Sequence, residues 1–194
     1  MPICLRDLTP EDTDEAALVF FAAVHRGTAD VYSAAQRVAW AGVAPAPEAW
    51  KKIFDSISGV VAEIDNRMAG FMTIDGKGLI DLAFVHPDYM KKGVGRALYT
   101  VIENRAIASG VCLLTTLASE KAKPFFERMG WSVETPNAVV KGGVTLQNYK
   151  MFKALPYCPA YQRIYPCTLA LRRHHTACKA SLPIAGKLLY GRTI

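Results

Sequence analysis

The stretch that most constrains the fold lies between residues 84 and 109, where the sequence is FVHPDYMKKGVGRALYTVIENRAIAS. It opens as the apolar end of a strand and reaches a glycine-containing turn at residues 90–96. From Val94 onward, apolar residues recur at helical spacing, which predicts a helix that ends before Gly110. The first N–H groups of such a helix have no partner within it, and its dipole favours negative charge. The sequence therefore predicts an anion site, such as a phosphate site, at residues 90–96.

Two common phosphate-binding motifs do not match this turn. A P-loop has Gly-Lys-Ser/Thr at the helix start, whereas this chain has Gly95-Arg96-Ala97. A dinucleotide-binding fingerprint has a third glycine where this chain has Leu98. Both classes of site are therefore disfavoured.

A third motif fits the spacing. The pattern V-x-P-x(5)-G-x-G, carried by Val85, Pro87, Gly93 and Gly95, resembles the acyl-CoA-binding motif of the GCN5-related N-acetyltransferases, or GNAT family. The resemblance implies that backbone amides of the turn hold the pyrophosphate of coenzyme A. The family usually has Arg or Gln where this chain has Met90. The cofactor contacts implied in this way are Phe84, Val85, Met90, Lys91, Lys92, Gly93, Val94, Gly95, Arg96, Ser119, Ala122 and Phe125.

A second motif lies downstream, in the order that the family shows. Residues 122–131, AKPFFERMGW, resemble the family pattern N-x-x-A-x-x-F-Y-x-x-x-G-F, with Ser119 at the Asn position and Phe126 at the Tyr position. A small bacterial subgroup shares the form A-S-x-x-A-K-P-F-F-E-R-x-G-F. The resemblance covers about residues 3–154.

The residue at the tyrosine position bears on the chemistry. In the family that tyrosine often protonates the departing thiolate, and Phe126 has no proton to donate. A thiolate is a good leaving group, since a free thiol has a pKa of about 8.5. Water or another hydroxyl can therefore take the place of the tyrosine as proton donor. Ser119 and Tyr149 are the first candidates, with Tyr32 behind them. The family also places the acyl carbonyl near a backbone N–H around Phe84 and Val85, which would polarise it.

The candidate base is Asp81. Alternation along a predicted strand at residues 79–85 places it on one face with Ala83 and Val85. A carboxylate within a buried strand needs a partner or a purpose. Asp81 would accept the amine proton or orient a cationic acceptor, or it is a hydrogen-bonded charge at the start of the strand. Both interpretations remain open.

The acceptor side is less constrained. In the family, the first helices line the acceptor pocket. Thr28, Tyr32 and Trp40 lie there at roughly helical spacing and are candidate substrate-binding residues. The alternative is that the two aromatic side chains only cover the core.

Composition supports one domain with a distinct tail. The net charge is +6, but residues 155–194 carry six basic and no acidic residues, which leaves residues 1–154 neutral. Nucleic-acid binding by the body is therefore disfavoured, and a basic tail that binds nucleic acid is a weak alternative. We expect residues 1–154 to form the acetyltransferase domain and residues 155–194 to be a basic, poorly ordered or peripheral extension. The cysteine and histidine spacing of the tail matches no metal site.

The predicted fold is α/β, a GNAT-like mixed sheet with six to seven mostly antiparallel strands and about four helices. Residues 79–85 are predicted as one strand, and a strand–helix–strand crossover predicts a parallel pair. Strands are also predicted at residues 131–134 and 142–152, with a turn region at residues 136–141 between them.

These patterns lead to one main hypothesis. The chain is expected to be an N-acetyltransferase that moves an acetyl group from acetyl-CoA to a primary amine of a small molecule by direct, ternary-complex transfer, without a metal. The missing tyrosine motivates the alternative of an acyl-CoA-binding sensor or regulatory module without turnover. Five cysteines, an odd count, and no predicted membrane span or leader lead to an expected cytoplasmic location. A homodimer is left open.

Overall fold

The computed structural model describes residues 2–54 and 57–156. The predicted extension at residues 155–194 lies almost wholly outside the described residues. The strands are β1 (Cys4–Asp7), β2 (Ser58–Ile64), β3 (Arg67–Ile74), β4 (Leu79–Ile80), β5 (Ala83–Val85), β6 (Leu113–Ser119), β7 (Ser132–Lys141) and β8 (Val144–Ala154). The α-helices are α1 (Thr13–His25), α2 (Ala34–Ala41), α3 (Glu48–Phe54), α4 (Val94–Ala108) and α5 (Lys123–Arg128). Short 3₁₀ turns cover Pro10–Asp12 and Pro87–Tyr89.

The strands form two four-stranded sheets, in the orders β1-β2-β3-β5 and β4-β6-β8-β7. All pairings are antiparallel except that of β4 with β6, which is parallel. Helix α4 makes the crossover between them, as predicted. The predicted mixed α/β class is confirmed, with eight strands and five α-helices in the described part of the chain rather than six to seven and four.

The predicted strand at residues 79–85 is broken in the structure. Its first part, β4, pairs with β6, whereas its second part, β5, pairs with β3. At the break, Leu82 N donates to Thr73 Oγ1 at 3.1 Å and Thr73 N donates to Leu82 O at 2.9 Å. The chain thus passes from one sheet to the other, and β5 and β6 diverge beyond the break. The expectation that Asp81 lies within a buried strand is wrong, because it is exposed at this break.

The turn predicted at residues 136–141 is also wrong. These residues belong to β7, which pairs with β8 from Ser132 to Lys141. The turn instead uses Gly142 and Gly143, whose φ angles of 55° and 75° favour glycine. Pro136 is compatible with β7 because this strand lies at the edge of its sheet, where one side of the backbone needs no partner.

The first sheet is covered on both faces. Alternate residues of β2 and β3 face opposite sides, so that Val60 and Met72 pack in one core with α4, whereas Val61 and Phe71 pack in another with α1 and α3. Residues of β3 from Met68 to Ile74 are all buried. This double covering makes the sheet a rigid support for β5 and for the start of α4.

Candidate active site

A cavity of about 690 Å³ opens between the diverging strands β5 and β6 and reaches the start of α4. Its wall includes Val85, Ser119, Ala122 and Phe125, together with the turn at residues 90–96. Four cationic residues line it, and among the described lining residues there is no carboxylate: Lys91, Arg96, Lys121 and Arg128. The cavity therefore favours a polyanionic ligand.

The glycine turn is built to bring backbone close to a ligand. Gly93, the residue before α4, has φ +89°, and Lys91 has φ 61°. A Cβ on Gly95 would fill the space beside the Phe125 ring and Val85, at contact distances of 3.4 and 3.7 Å. The first N–H groups of α4 have no acceptor within the helix. These donors, the helix dipole and the neighbouring cations suit the pyrophosphate of coenzyme A.

The backbone of β5 presents N–H groups to the cavity. Leu82 exchanges hydrogen bonds with Thr73, and His86 N donates to Ala69 O at 2.8 Å, so even-numbered residues here face β3. Alternation then directs the N–H groups of Ala83 and Val85 toward the gap between the sheets. Phe84 and Val85 are the residues whose N–H groups are expected near the acyl carbonyl. Val85 has its N–H toward the gap, whereas Phe84 pairs with Phe71 of β3 and also lines the cavity.

A second cavity of about 280 Å³ lies on the other side of the same divergence. It is lined by parts of α1, α2, α3, α5, β5, β6, β7 and β8. The two cavities share six lining residues, which mark their junction: Trp40, Ala83, Phe84, Ser119, Ala122 and Phe126. A molecule in one cavity can therefore meet a molecule in the other across this junction.

Comparison with known proteins identifies the family. Residues 28–153 match the Acetyltransferase (GNAT) domain family. An uncharacterized N-acetyltransferase of Escherichia coli K12, YafP, is 31% identical over 149 residues, which are 77% of this chain and 94% of that protein. The chain belongs to the GNAT acetyltransferases.

Solved structures agree with this assignment. A GCN5-related N-acetyltransferase from Rhodopseudomonas palustris is 34% identical and superposes with a TM-score of 0.75 over 80% of this chain and 97% of that chain. PaiA N-acetyltransferase from Thermoplasma acidophilum, solved with coenzyme A, shares the fold at 20% identity, with a TM-score of 0.66 over 80% of this chain and 100% of that chain. The chain is thus an acetyl-CoA-dependent N-acetyltransferase.

Ser119 lies at the centre of this GNAT site. It is the last residue of β6 and lines both cavities. Its Oγ accepts a hydrogen bond from Ala122 N at 3.1 Å, which holds the hydroxyl near the start of α5. The same hydroxyl still has its own proton to donate. Among the three predicted catalytic residues, it is the one that both cavities share.

Tyr149 lies elsewhere. It lines neither cavity, and its hydroxyl donates to Glu120 Oε2 at 2.8 Å. The Nζ of Lys123 stands 4.7 Å from the centre of its ring. The hydrogen bond to the Glu120 carboxylate raises the pKa of Tyr149, because ionisation would place two negative charges side by side. The structure does not bring Tyr149 together with Ser119 at the junction.

Asp81 lines the smaller cavity at the break between β4 and β5. It is exposed, so it needs no burial-compensating partner to be charged. Lys141, at the end of β7, lines the same cavity and donates to Trp40 O at 3.1 Å. Burial lowers the pKa of Lys141. The smaller cavity thus has one acidic and one basic group among the described residues that line it.

The three predicted substrate-binding residues lie in different parts of the site. Thr28 is buried, lines the larger cavity and donates to Val24 O at 2.7 Å. Tyr32 lines the smaller cavity, and its hydroxyl is engaged by backbone groups. Trp40, on α2, lines both cavities and lies at their junction. A capping box formed by Ser33 and Gln36 fixes the start of α2, the helix that carries Trp40.

Two predicted cofactor residues do not present side chains to the larger cavity. Lys92 is exposed, and its Nζ lies 5.6 Å from the Tyr89 ring centre. Val94 is 1% exposed and packs in the core, so that only its backbone is available to a ligand. All the other predicted cofactor contacts line the larger cavity.

Sequence reasoning missed several lining residues. Lys121 directly precedes the second motif and Arg128 lies within it, and their charge could have identified them. Thr116, Leu146 and Asn148 belong to β6 and β8, and no local signal distinguishes them from other strand residues. Within the described ranges, no helix is long and apolar enough to cross a membrane, and no group of three metal-binding side chains occurs.

Proposed function

We propose that this GNAT enzyme transfers the acetyl group of acetyl-CoA directly to the primary amine of a small molecule, with both substrates bound at once. The observation that supports this most is the meeting of two cavities at the divergence of β5 and β6. A direct transfer requires both reactants to be held together in the right geometry. The smaller cavity, at about 280 Å³, suits a small acceptor better than a folded protein segment.

The larger cavity supports the cosubstrate side. In the proposal, the N–H groups at the start of α4 hold the pyrophosphate, with Lys91 and Arg96 adding positive charge. The N–H groups of Ala83 and Val85, which face the gap, are positioned to polarise the acetyl carbonyl. Bound acetyl-CoA would supply an activated thioester at the junction.

The proton balance involves two groups. Transfer forms an N–C bond and breaks the C–S bond, and the amine loses one proton while the departing thiolate gains one. We propose that Asp81 accepts the amine proton, directly or through water, because it lines the acceptor cavity. Ser119 is the proposed donor toward the thiolate, itself or through water, because it lines both cavities.

Initial-rate kinetics with the full chain test the proposal. Coenzyme A release would be measured against acetyl-CoA and a panel of primary amines, with each substrate varied at several levels of the other. Intersecting double-reciprocal lines and an N-acetylated product are expected. Parallel lines with an acetylated protein intermediate would contradict direct transfer. Saturable acetyl-CoA binding without release of coenzyme A for any amine would instead support the sensor function.

A further inference from the structure

The wall of the smaller cavity is rich in aromatic residues. Six aromatic residues line it: Phe20, Tyr32, Trp40, Trp50, Phe84 and Phe126. Several of these rings also contact one another. The Phe20 centroid lies 4.9 Å from those of both Trp50 and Phe84, and the Tyr32 centroid lies 5.6 Å from that of Trp40. A cavity wall of this kind favours a flat apolar group, because ring pairs gain energy beyond the area they bury.

Apart from Ser119 at the junction, the hydroxyl groups in this wall are engaged by the protein itself. The Tyr32 hydroxyl bonds to Gln147 O at 2.6 Å and to Glu120 N at 2.9 Å. The Thr116 hydroxyl donates to Ile80 O at 2.8 Å. Both side chains therefore present mainly carbon to the cavity. These two hydroxyls therefore do not replace the hydration that a ligand with many hydroxyl or amino groups would lose there.

The size and charge of the cavity restrict the ligand further. An apolar cavity of about 150 Å³ can hold benzene, and this one is about 280 Å³. A phenyl ring with a short aminoalkyl chain fits this volume. Among the described residues that line the cavity, Asp81 is the single carboxylate. A polyamine or aminoglycoside carries several cationic groups and would find one acidic partner.

The layout of the cavity also orients such a ligand. Ser119 and Ala83 lie at the junction with the larger cavity, whereas Trp50, Val139 and Leu146 line the smaller cavity alone. The amine must reach the junction to meet the acetyl group. Its body then lies toward the aromatic and aliphatic side chains away from the junction.

We propose that the acceptor is an arylalkyl monoamine, whose aromatic ring occupies the aromatic cavity while its amine reaches the junction. This inference rests on the proposed acetyl transfer and names its substrate class. The specificity then comes from the apolar cavity rather than from a set of acidic side chains.

The experiment compares three amines with the full chain: 2-phenylethylamine, propylamine and spermidine. We expect kcat/KM for 2-phenylethylamine to exceed that for propylamine by roughly tenfold or more, because the ring carbons leave water on binding. Spermidine should be the poorest of the three. An equal or higher kcat/KM for propylamine or spermidine would overturn the inference.

A matched pair of variants locates the effect. Val139 lines the smaller cavity, whereas its neighbour Val140 lines neither cavity and is 69% exposed. The V139W variant should lower kcat/KM for 2-phenylethylamine by a larger factor than kcat/KM for propylamine, and V140W should change neither. An equal loss for both amines in V139W would contradict the assigned position of the ring.

Binding separates this inference from the transfer itself. Two of the three tryptophans, Trp40 and Trp50, line the smaller cavity, so ligand entry should quench the intrinsic fluorescence. If no amine released coenzyme A, the proposed transfer would fail, and the titration would still decide the ligand class. Saturable quenching by 2-phenylethylamine that V139W weakens would support the inference. If 2-phenylethylamine bound no more tightly than propylamine, the inference would be overturned.

Discussion

The hydroxyl of Tyr32 lies between Gln147 and Glu120, donating to Gln147 O at 2.6 Å and accepting from Glu120 N at 2.9 Å. The last paired residues of β6 and β8 are Ser119 and Asn148. Glu120 and Gln147 would form the next pair, and the hydroxyl takes the place of their direct hydrogen bond. Tyr32 thus fastens the segment before α2 to the point where the second sheet opens.

Replacement of Tyr32 by Phe should destabilise the protein. The variant keeps the ring but removes the partner of one carbonyl and one N–H group in a part-buried position. We expect the free energy of unfolding to fall by about 1–3 kcal/mol, measured by urea denaturation. A loss below the error of that measurement would show that water replaces the hydroxyl without cost.

The glycine turn should be intolerant of negative charge. Asp at Gly93 places a carboxylate beside the proposed pyrophosphate site at the start of α4. We expect G93D to weaken acetyl-CoA binding by at least about a hundredfold, measured by isothermal titration calorimetry.

The matched control is G110D, at the other end of α4. Gly93 and Gly110 both have positive φ, 89° and 73°, so both variants carry backbone strain. Gly110 has open space around it and lines neither cavity. G110D should bind acetyl-CoA within about twofold of the parent chain. A similar loss in both variants would assign the effect to strain.

The two hydroxyl candidates for proton donation should differ. Ser119→Ala should lower kcat for coenzyme A release by about tenfold or more, whereas S119T should retain activity because it keeps a hydroxyl. Tyr149→Phe should change kcat by less than about threefold, because its hydroxyl is bound to Glu120 outside both cavities. Loss of activity in Tyr149→Phe with an unchanged melting temperature would reverse this assignment.

Stability in acid should depend on Asp12. Although burial disfavours its charge, hydrogen bonds from Arg6 at 2.7 and 2.8 Å and from Thr9 N at 2.8 Å lower its pKa below the ordinary 3.8. A carboxyl group whose pKa is lowered by folding stabilises the fold at pH values above its ordinary pKa. This contribution disappears as the pH falls through the lowered pKa. We expect Asp12→Asn to cost about 1–3 kcal/mol at pH 7.

The difference in the free energy of unfolding between the parent chain and Asp12→Asn should shrink as the pH falls below about 4. Denaturation curves across this range measure it. Asp14, exposed and two residues further on, provides the control, since D14N should be nearly neutral at pH 7. A difference that stays constant from pH 7 to pH 2 would show that the charge of Asp12 is not its source.

Much of the site could be predicted from sequence because its cofactor side is local. The turn before Val94, its glycines and the helix that follows are contiguous, and their backbone conformation follows from residue type. The second motif likewise identified Ser119 and Phe125 as lining residues. In both places, short-range spacing carries the information.

Tertiary structure decided what depends on pairing between distant segments. Residues 79–85 show no local signal for a break. The break arises because the first half of this stretch pairs with β6 and the second half pairs with β3. That divergence creates the junction, exposes Asp81 and leaves Tyr149 with Glu120. The sequence by itself thus determined the anion-binding turn, since its chemistry lies in one short backbone segment. Only the tertiary structure decided which side chains meet across the divergence, since they come from strands and helices far apart in the chain.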